Sequence, residues 1–424
     1  MKNTLLIWIM LLGIWGCSND DDNAFETSVP REKITFKAVP GGAIMYYNLK
    51  GNKEVFSIRA RYVDAQGKEI TVDGTYLSDS LTLVGFDDAR QNVPVRLSFF
   101  NHKLEESNGM DMVFNTEDSA PAAFFKTVEV TPGWNGFQIA YDAPQSTGYA
   151  HIFYLGENPL THRPDTLWLQ TILIAKGHNV HSFSLQQERP SNTIIITTED
   201  FRGYRVKKGV WENVEAYAIS QYPSVNISVK DPLGIIEENT TYRLSSQYLF
   251  DGKTKGEARM LEGNVEKQAY LFATKKNTVG KYWVLDLGEK QMIARLRMYA
   301  AYKWSLFIAS WNWMGQLSDK YPSEVTIYGS NDMEDEESWE QLGYFYQSPL
   351  VEGWAAKSNT VIADLTVLER QESLYADINC VANGKEYRYI KMLVHNTFRY
   401  DGQLTYQNRN NIIALSELEV FVKK

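Results

Sequence analysis

Two stretches of this chain gather side chains suited to holding a polar ligand. The first, Tyr302 to Tyr321, carries Lys303, Trp304, Trp311, Asn312, Trp313 and Gln316. The second, His395 to Asn411, adds Asn396, Arg399, Tyr400, Asp401, Tyr406, Asn408 and Arg409. Indole and phenol rings offer flat apolar faces to the CH face of a sugar ring. Amide and guanidinium groups supply paired hydrogen bonds to its hydroxyls. An aromatic floor beside Asn and Arg is a minimal saccharide-binding set, and Trp304, Trp311, Trp313, His395, Asn396, Arg399 and Tyr400 are its candidate contacts. The same aromatics could instead plug the end of a β-sandwich, and Trp304 heads a weakly alternating run, Trp304-Ser305-Leu306-Phe307-Ile308, that suits a core position.

Covalent chemistry finds no comparable gathering. The sequence has no G-x-S-x-G elbow, H-E-x-x-H pair, Walker A loop or C-x-x-C pair. The acidic run Glu334 to Glu337 follows Gly329-Ser330-Asn331-Asp332 and reads as a solvated hairpin tip, whereas a glycosidase needs carboxyls opposed across a cleft. The 6 His are scattered. Cys380 has Asp377 near it in sequence but no His, so it reads as a small buried core residue and not as a nucleophile. The expectation is a binding protein, not an enzyme.

At 424 residues the chain is too long for one ordinary domain. A formal charge of -9 and the lack of any Lys/Arg cluster argue against a nucleic-acid partner. With only 2 Cys, the fold must stand on hydrophobic cores and not on disulfides.

Strands must position these groups. Phe56, Ile58, Ala60 and Tyr62 alternate with Ser57, Arg59 and Arg61, and Val93, Val95, Leu97 and Phe99 repeat the pattern. Turn chemistry such as Pro40-Gly41-Gly42 separates the runs, and no helix longer than a few turns is expected. An internal echo links KITFKAVPGGAIMYYNL, from Lys33, to KTVEVTPGWNGFQIAYDAP, from Lys126: a strand, a Pro-Gly turn and an alternating strand. It places two sandwiches at 33–116 and 120–222, joined near 117–121, with a second joint near 223–238. These modules resemble fibronectin type III sandwiches. Trp168, in Leu167-Trp168-Leu169, is expected in the core of the second, while Trp134, after Pro132-Gly133, is expected at an exposed or inter-module turn.

The N-terminus reads as an export signal: Met1-Lys2-Asn3, an apolar run from Thr4 to Trp15, then Gly16-Cys17 and the acidic Asp20 to Asp22. The run is shorter than the roughly 20 residues a settled membrane span needs. Gly16-Cys17 resembles the lipobox of bacterial lipoproteins, and the acidic run after it is similar to the surface-export signal of Bacteroidetes lipoproteins. The resemblance implies a signal peptide over 1–16, lipidation at Cys17, a polar tether over 17–32 and an outer-membrane location facing the cell exterior.

Residues 228–424 carry an ordered series: Leu249-Phe250-Asp251-Gly252, Tyr282 to Gly288, Pro322 to Asp332, Ser338-Trp339-Glu340, Tyr387 to Met392, and Ala414 to Phe421. The series resembles the discoidin, or coagulation factor 5/8 C-type, domain, a galactose-binding-like jelly roll. The fold expected is therefore all-β: two immunoglobulin/fibronectin III-like sandwiches followed by a discoidin-like jelly-roll sandwich. The resemblance implies ligand contact by loops at one end of the last domain. It also implies a Ca2+ site at the positions of Asp251 and Glu417, although Lys253 and Lys255 stand where relatives commonly offer Asp or Asn. Either ammonium could replace the ion. The three modules together resemble a surface lipoprotein of Bacteroidetes glycan-uptake loci, which would hold an oligo- or polysaccharide near an outer-membrane importer or a surface hydrolase. The alternative is a structural or adaptor lipoprotein docking a partner protein through its aromatic loops, because Trp, Tyr and Arg also dominate interface hot spots.

Overall fold

Period-two burial builds the first module. In the computed structural model, which describes residues 25–26, 29–256, 270–304, 317–362, 365–398 and 411–424, Ile58, Ala60 and Tyr62 are buried while Ser57, Arg59 and Arg61 between them are half-exposed. Cys17, the signal segment and most of the tether lie outside the described residues. The strands are β1 (Ile34–Val39), β2 (Gly42–Tyr47), β3 (Ser57–Val63), β4 (Glu69–Thr75), β5 (Ser80–Val84), β6 (Val93–Phe100) and β7 (Met110–Phe114). They form two sheets, ordered β1-β2-β5 and β4-β3-β6-β7. Met45, Tyr47 and Leu83 from the first sheet meet Ile58, Leu97, Phe99 and Phe114 from the second in one core. Each such fully buried side chain contributes about 1.5–3 kcal/mol. Tyr62 ties the sheets together: its hydroxyl accepts the Val84 N–H at 2.9 Å and donates to the Val84 carbonyl at 2.8 Å. Gly41, at φ +75°, makes the β1–β2 reversal that the sequence places at Pro40-Gly41-Gly42.

Helix α1 (Ala120–Thr127) follows, two turns long, with Ser119 as its N-cap accepting the Ala122 N–H at 3.3 Å. Next come β8 (Glu129–Trp134), β9 (Gly136–Ala143), β10 (Tyr149–Glu157), β11 (Pro164–Leu173), β12 (Gly177–Ser184), β13 (Ser191–Glu199) and β14 (Arg205–Tyr217). The described residues fall into two compact units. One runs through Glu129 and takes Ala140–Val180 and Ile194–Val210; the other takes Val130–Ile139, His181–Thr193 and Trp211–Lys424.

Two expectations change here. The Pro-Gly pair of the echo is not the turn: Pro132 and Gly133 lie inside β8, and the chain reverses at Asn135, at φ +51°. Gly133 serves close approach instead, since a Cβ there would come within 2.7 Å of the Phe137 backbone. Trp168 is not core; it is 63% exposed. Leu167 and Leu169 point inward from β11, so period two sends the indole between them to the outer face.

The last module contributes β15 (Ile219–Gln221), β16 (Ser228–Lys230), β17 (Phe272–Ala273), β18 (Tyr282–Gln291), β19 (Ile293–Ala300), β20 (Lys303–Trp304), β21 (Pro322–Ser330), β22 (Glu340–Tyr346), β23 (Val361–Ile362), α2 (Leu365–Glu369), β24 (Leu374–Asn379), β25 (Tyr387–Thr397), β26 (Ala414–Leu415) and β27 (Glu417–Lys423). Two sheets, β15-β27-β19-β24 and β16-β18-β25-β21-β22, enclose Trp283, Leu285, Leu296, Met298, Ile327, Ile390, Met392 and Leu418. Ile219–Gln221, which the echo assigns to the second module, pairs with Phe421–Lys423 of β27. The chain is all-β, a series of sandwiches with only short helices among the described residues.

Candidate functional site

The two aromatic stretches spring from adjoining stems. Lys303 and Trp304 form β20, paired in parallel with Val361 and Ile362, and the first stretch leaves from its end. The described chain resumes at Leu317, where Asn359 takes over: its Oδ1 accepts the N–H groups of Leu317 and Ser318, both at 3.1 Å, and its Nδ2 donates to Ser318 Oγ at 2.6 Å. Asp319 and Lys320 pair beside it, both buried, and burial pushes the Lys320 ammonium below its usual range. Tyr321 is fully buried, with its hydroxyl accepting the Ala301 N–H at 2.9 Å. Its carbonyl accepts the N–H of Phe398 at 3.3 Å, where the second stretch departs. That stretch returns at Asn411, whose carbonyl accepts the N–H groups of Thr278 at 3.0 Å and Val279 at 3.3 Å. Trp354 braces the base: its Nε1 donates to the Pro322 carbonyl at 2.9 Å and its ring stands 5.6 Å from that of Tyr321.

Trp311, Trp313, Arg399 and Tyr400 lie outside the described residues, and Trp304 is placed by its backbone alone. His395 and Asn396 are on a strand, not in a loop, because β25 runs on to Thr397. A register shift opposite Glu324 and Val325 inserts His395 as an extra residue, so it and Asn396 share the outer face with Glu324 and Thr326. His395 Nε2 lies 2.8 Å from Thr326 Oγ1. Asn396 Nδ2 donates to Glu324 Oε2 at 2.5 Å, and the Tyr344 hydroxyl donates to Glu324 Oε1 at 2.8 Å. The Asn396 bond, then the Tyr344 bond, hold the Glu324 carboxyl below the usual range. Tyr344 and Tyr346 are 51% and 56% exposed on the edge strand β22. Their signal in the sequence is the alternation Tyr344-Phe345-Tyr346, with Phe345 packed on the core.

Asp251 and Glu417 do come together, through a turn. Glu417, buried, accepts the N–H groups of Gly252 at 2.8 Å and Lys253 at 3.2 Å on Oε2. Asp251 Oδ1 accepts the Lys253 N–H at 3.0 Å, and the Lys253 carbonyl accepts the Ser416 hydroxyl at 2.8 Å. Lys255 Nζ reaches the Glu369 carbonyl at 3.4 Å. Calcium asks for six to eight hard oxygens. Here the oxygens are turned onto N–H and O–H donors, and among the described residues no group of three or more His, Cys, Asp or Glu is placed to hold a metal.

Cys380 is buried, and burial pushes its thiol up to about 12. Its carbonyl accepts the Trp134 Nε1–H at 2.7 Å, so Trp134 is a contact to the last module and not an open platform. In the acidic run, Asp335 caps its own turn by accepting the Glu337 N–H at 3.0 Å, and Glu336 pairs with Lys391 at 3.1 Å.

A family model described as a domain of unknown function, DUF4959, matches residues 28–116. No curated protein matches the chain. Among solved structures the chain is similar to a SusE-like protein, at 11% identity, over 72% of this chain and 99% of that one, with a TM-score of 0.42. It is also similar to the carbohydrate-binding module CBM32-1 of a family 31 glycoside hydrolase from Clostridium perfringens, at 12% identity, over 47% and 96%, with a TM-score of 0.26. A fucose-binding module of Streptococcus pneumoniae matches at 14% identity, over 47% and 89%, with a TM-score of 0.22.

Proposed function

We propose that the chain is a non-catalytic glycan-binding lipoprotein, anchored through Cys17 to the outer membrane and facing outward, that captures polysaccharide for uptake. The front modules act as spacers, and the last module makes the contact. The observation that supports this reading is the Tyr321–Phe398 hydrogen bond at 3.3 Å. It joins the described ends of the two aromatic stretches, at Tyr321 and at Phe398. Weak single-site affinity suffices, since many tethered copies facing a polymer gain avidity.

The test is a glycan array probed with the chain from residue 19 onward. Each ring lost should weaken binding about two- to tenfold, so Trp311→Ala with Trp313→Ala should make binding hard to detect. Cys17→Ala should release the full-length protein from membranes or leave its precursor uncleaved. An array without signal, together with a partner protein co-purifying through these stretches, would favour the adaptor role.

A further inference from the structure

The outer face of β22, β21 and β25 carries a shelf that the loops do not explain. Tyr344 and Tyr346 stand two residues apart on one face of an edge strand, about 6.8 Å along it. Both are more than half exposed, at 51% and 56%, while Phe345 between them packs inward on the core. Opposite Tyr346 lies Glu324, and opposite Glu324 lies Asn396, so one row crosses three strands; Tyr344 and Thr326 begin the next, with His395 bulged beside it. The row holds an ionised carboxylate that accepts from Tyr344 and Asn396. Each carboxylate oxygen has further acceptor capacity for a ligand hydroxyl.

The shelf also continues from the loop base. Glu324 is two residues beyond Pro322, whose carbonyl is braced by Trp354, and Gln347, the residue after Tyr346, donates its N–H to the Ser323 carbonyl at 2.8 Å. Tyr346 therefore sits beside the stem where Tyr321 meets Phe398.

We propose that Tyr344, Tyr346, Glu324 and Asn396 form an extension subsite that binds the body of a neutral polysaccharide chain rather than a single terminal sugar. This inference rests on the glycan-binding reading above. Two exposed phenol faces in line suit successive rings. The carboxylate between them accepts hydroxyls and repels the charge of a uronate or sulfate, which sets the ligand class as uncharged.

Native gels cast with galactomannan, xyloglucan, laminarin, yeast mannan or polygalacturonate test it, using the purified full chain. The intact protein should be retarded by at least one neutral polymer and not by polygalacturonate. Tyr344→Ala with Tyr346→Ala should weaken binding to that polymer about fourfold to a hundredfold, from about two- to tenfold per ring, and should remove the gain in affinity with oligosaccharide length. Tyr344→Phe with Tyr346→Phe keeps the stacking faces and should retain most of it, with an unchanged melting temperature in both variants as the folding control. Equal retardation of the intact and the Ala-substituted protein by a neutral polymer would overturn the subsite and leave the glycan-binding reading standing. Retardation by polygalacturonate alone would overturn the uncharged class. No retardation on any gel would remove both proposals.

Discussion

Arg202 donates through Nη1 to Asp64 Oδ2 at 2.6 Å and through Nε to Asp200 Oδ2 at 2.8 Å, joining the turn after β3 to the turn after β13. The Asp64 side chain is fully buried and that of Arg202 is 17% exposed. Gln145 Nε2 adds a bond to the Pro40 carbonyl at 3.0 Å. Arg202→Ala leaves Asp64 with its backbone donors but without its cation. A charged hydrogen bond of this kind contributes about 1.5–3 kcal/mol, so the urea midpoint should fall by a corresponding amount. Arg202→Lys should recover only part of it, since an ammonium cannot serve both carboxylates in the geometry of a planar guanidinium.

The same site sets a pH dependence. Burial pushes the Asp64 carboxyl up, but the Lys68 N–H, the Arg202 guanidinium and the Gln66 N–H outweigh it and hold the group below its ordinary value. Asp73 beside Arg59, Glu106 beside Arg61 and Asp118 beside Lys126 shift in the same direction. For a carboxyl lowered on folding, the stability is present above the unfolded value and is lost as pH falls through the folded one. Asp87 runs the other way, raised by burial and by Asp200, and offsets a part. The urea midpoint should therefore hold between neutral pH and about pH 5 and drop below about pH 4.

Cys380 should be inert while the fold is intact. Its thiol is buried and held in the neutral form, up to about 12, and the thiolate is the reactive species. In a chain starting at residue 19, where Cys380 is the one thiol left, an aromatic disulfide reagent should report almost no reaction in buffer and full reaction in guanidinium. Rapid labelling in buffer would show that the packing around Cys380 opens.

Much of this architecture was legible because burial here follows period two. The alternations Ile58-Ala60-Tyr62 and Leu418-Val420-Val422 fix which faces meet, and those faces are buried. The misreadings share one physical origin: a residue type was weighed without its strand neighbours. Trp168 suggested core by its size, but its flanking leucines claim the inner face. Pro132-Gly133 suggested a turn by composition, but Gly133 is needed where the Phe137 backbone approaches, and the turn falls to Asn135. His395 and Asn396 suggested a loop because polar residues follow them, and only the bulge, invisible in sequence, sets them on a sheet face.

The Glu417 turn gives a test of metal dependence. With its Oε2 occupied by the Gly252 and Lys253 N–H groups, the carboxylate already serves as an amide cap. Chelator should leave the thermal midpoint unchanged. A bound ion at a hundred times its dissociation constant would add about 2.7 kcal/mol and raise the midpoint visibly. Glu417→Ala should destabilise by about 1–3 kcal/mol, the cost of stranding buried donors, in the presence or absence of calcium. A chelator-induced fall in the midpoint would reverse the assignment.

Asn359 should control ligand binding without touching ligand. It accepts two N–H groups, of Leu317 and Ser318, at the point where the first aromatic stretch rejoins the sheet, and donates to Ser318 Oγ. Removing the amide takes this acceptor from the Leu317 and Ser318 N–H groups and loosens the described end of the first stretch. Asn359→Ala should cost about 1–3 kcal/mol in stability and weaken glycan binding severalfold. Asn359→Asp keeps both acceptor bonds and loses only the donor to Ser318, so it should restore most of the affinity. A purely structural role for Asn359 predicts a different result: both variants would lose stability while a titration at a temperature where each is fully folded would give the affinity of the intact chain. Isothermal titration of the three proteins against the same oligosaccharide, run well below the lowest melting temperature, separates the two.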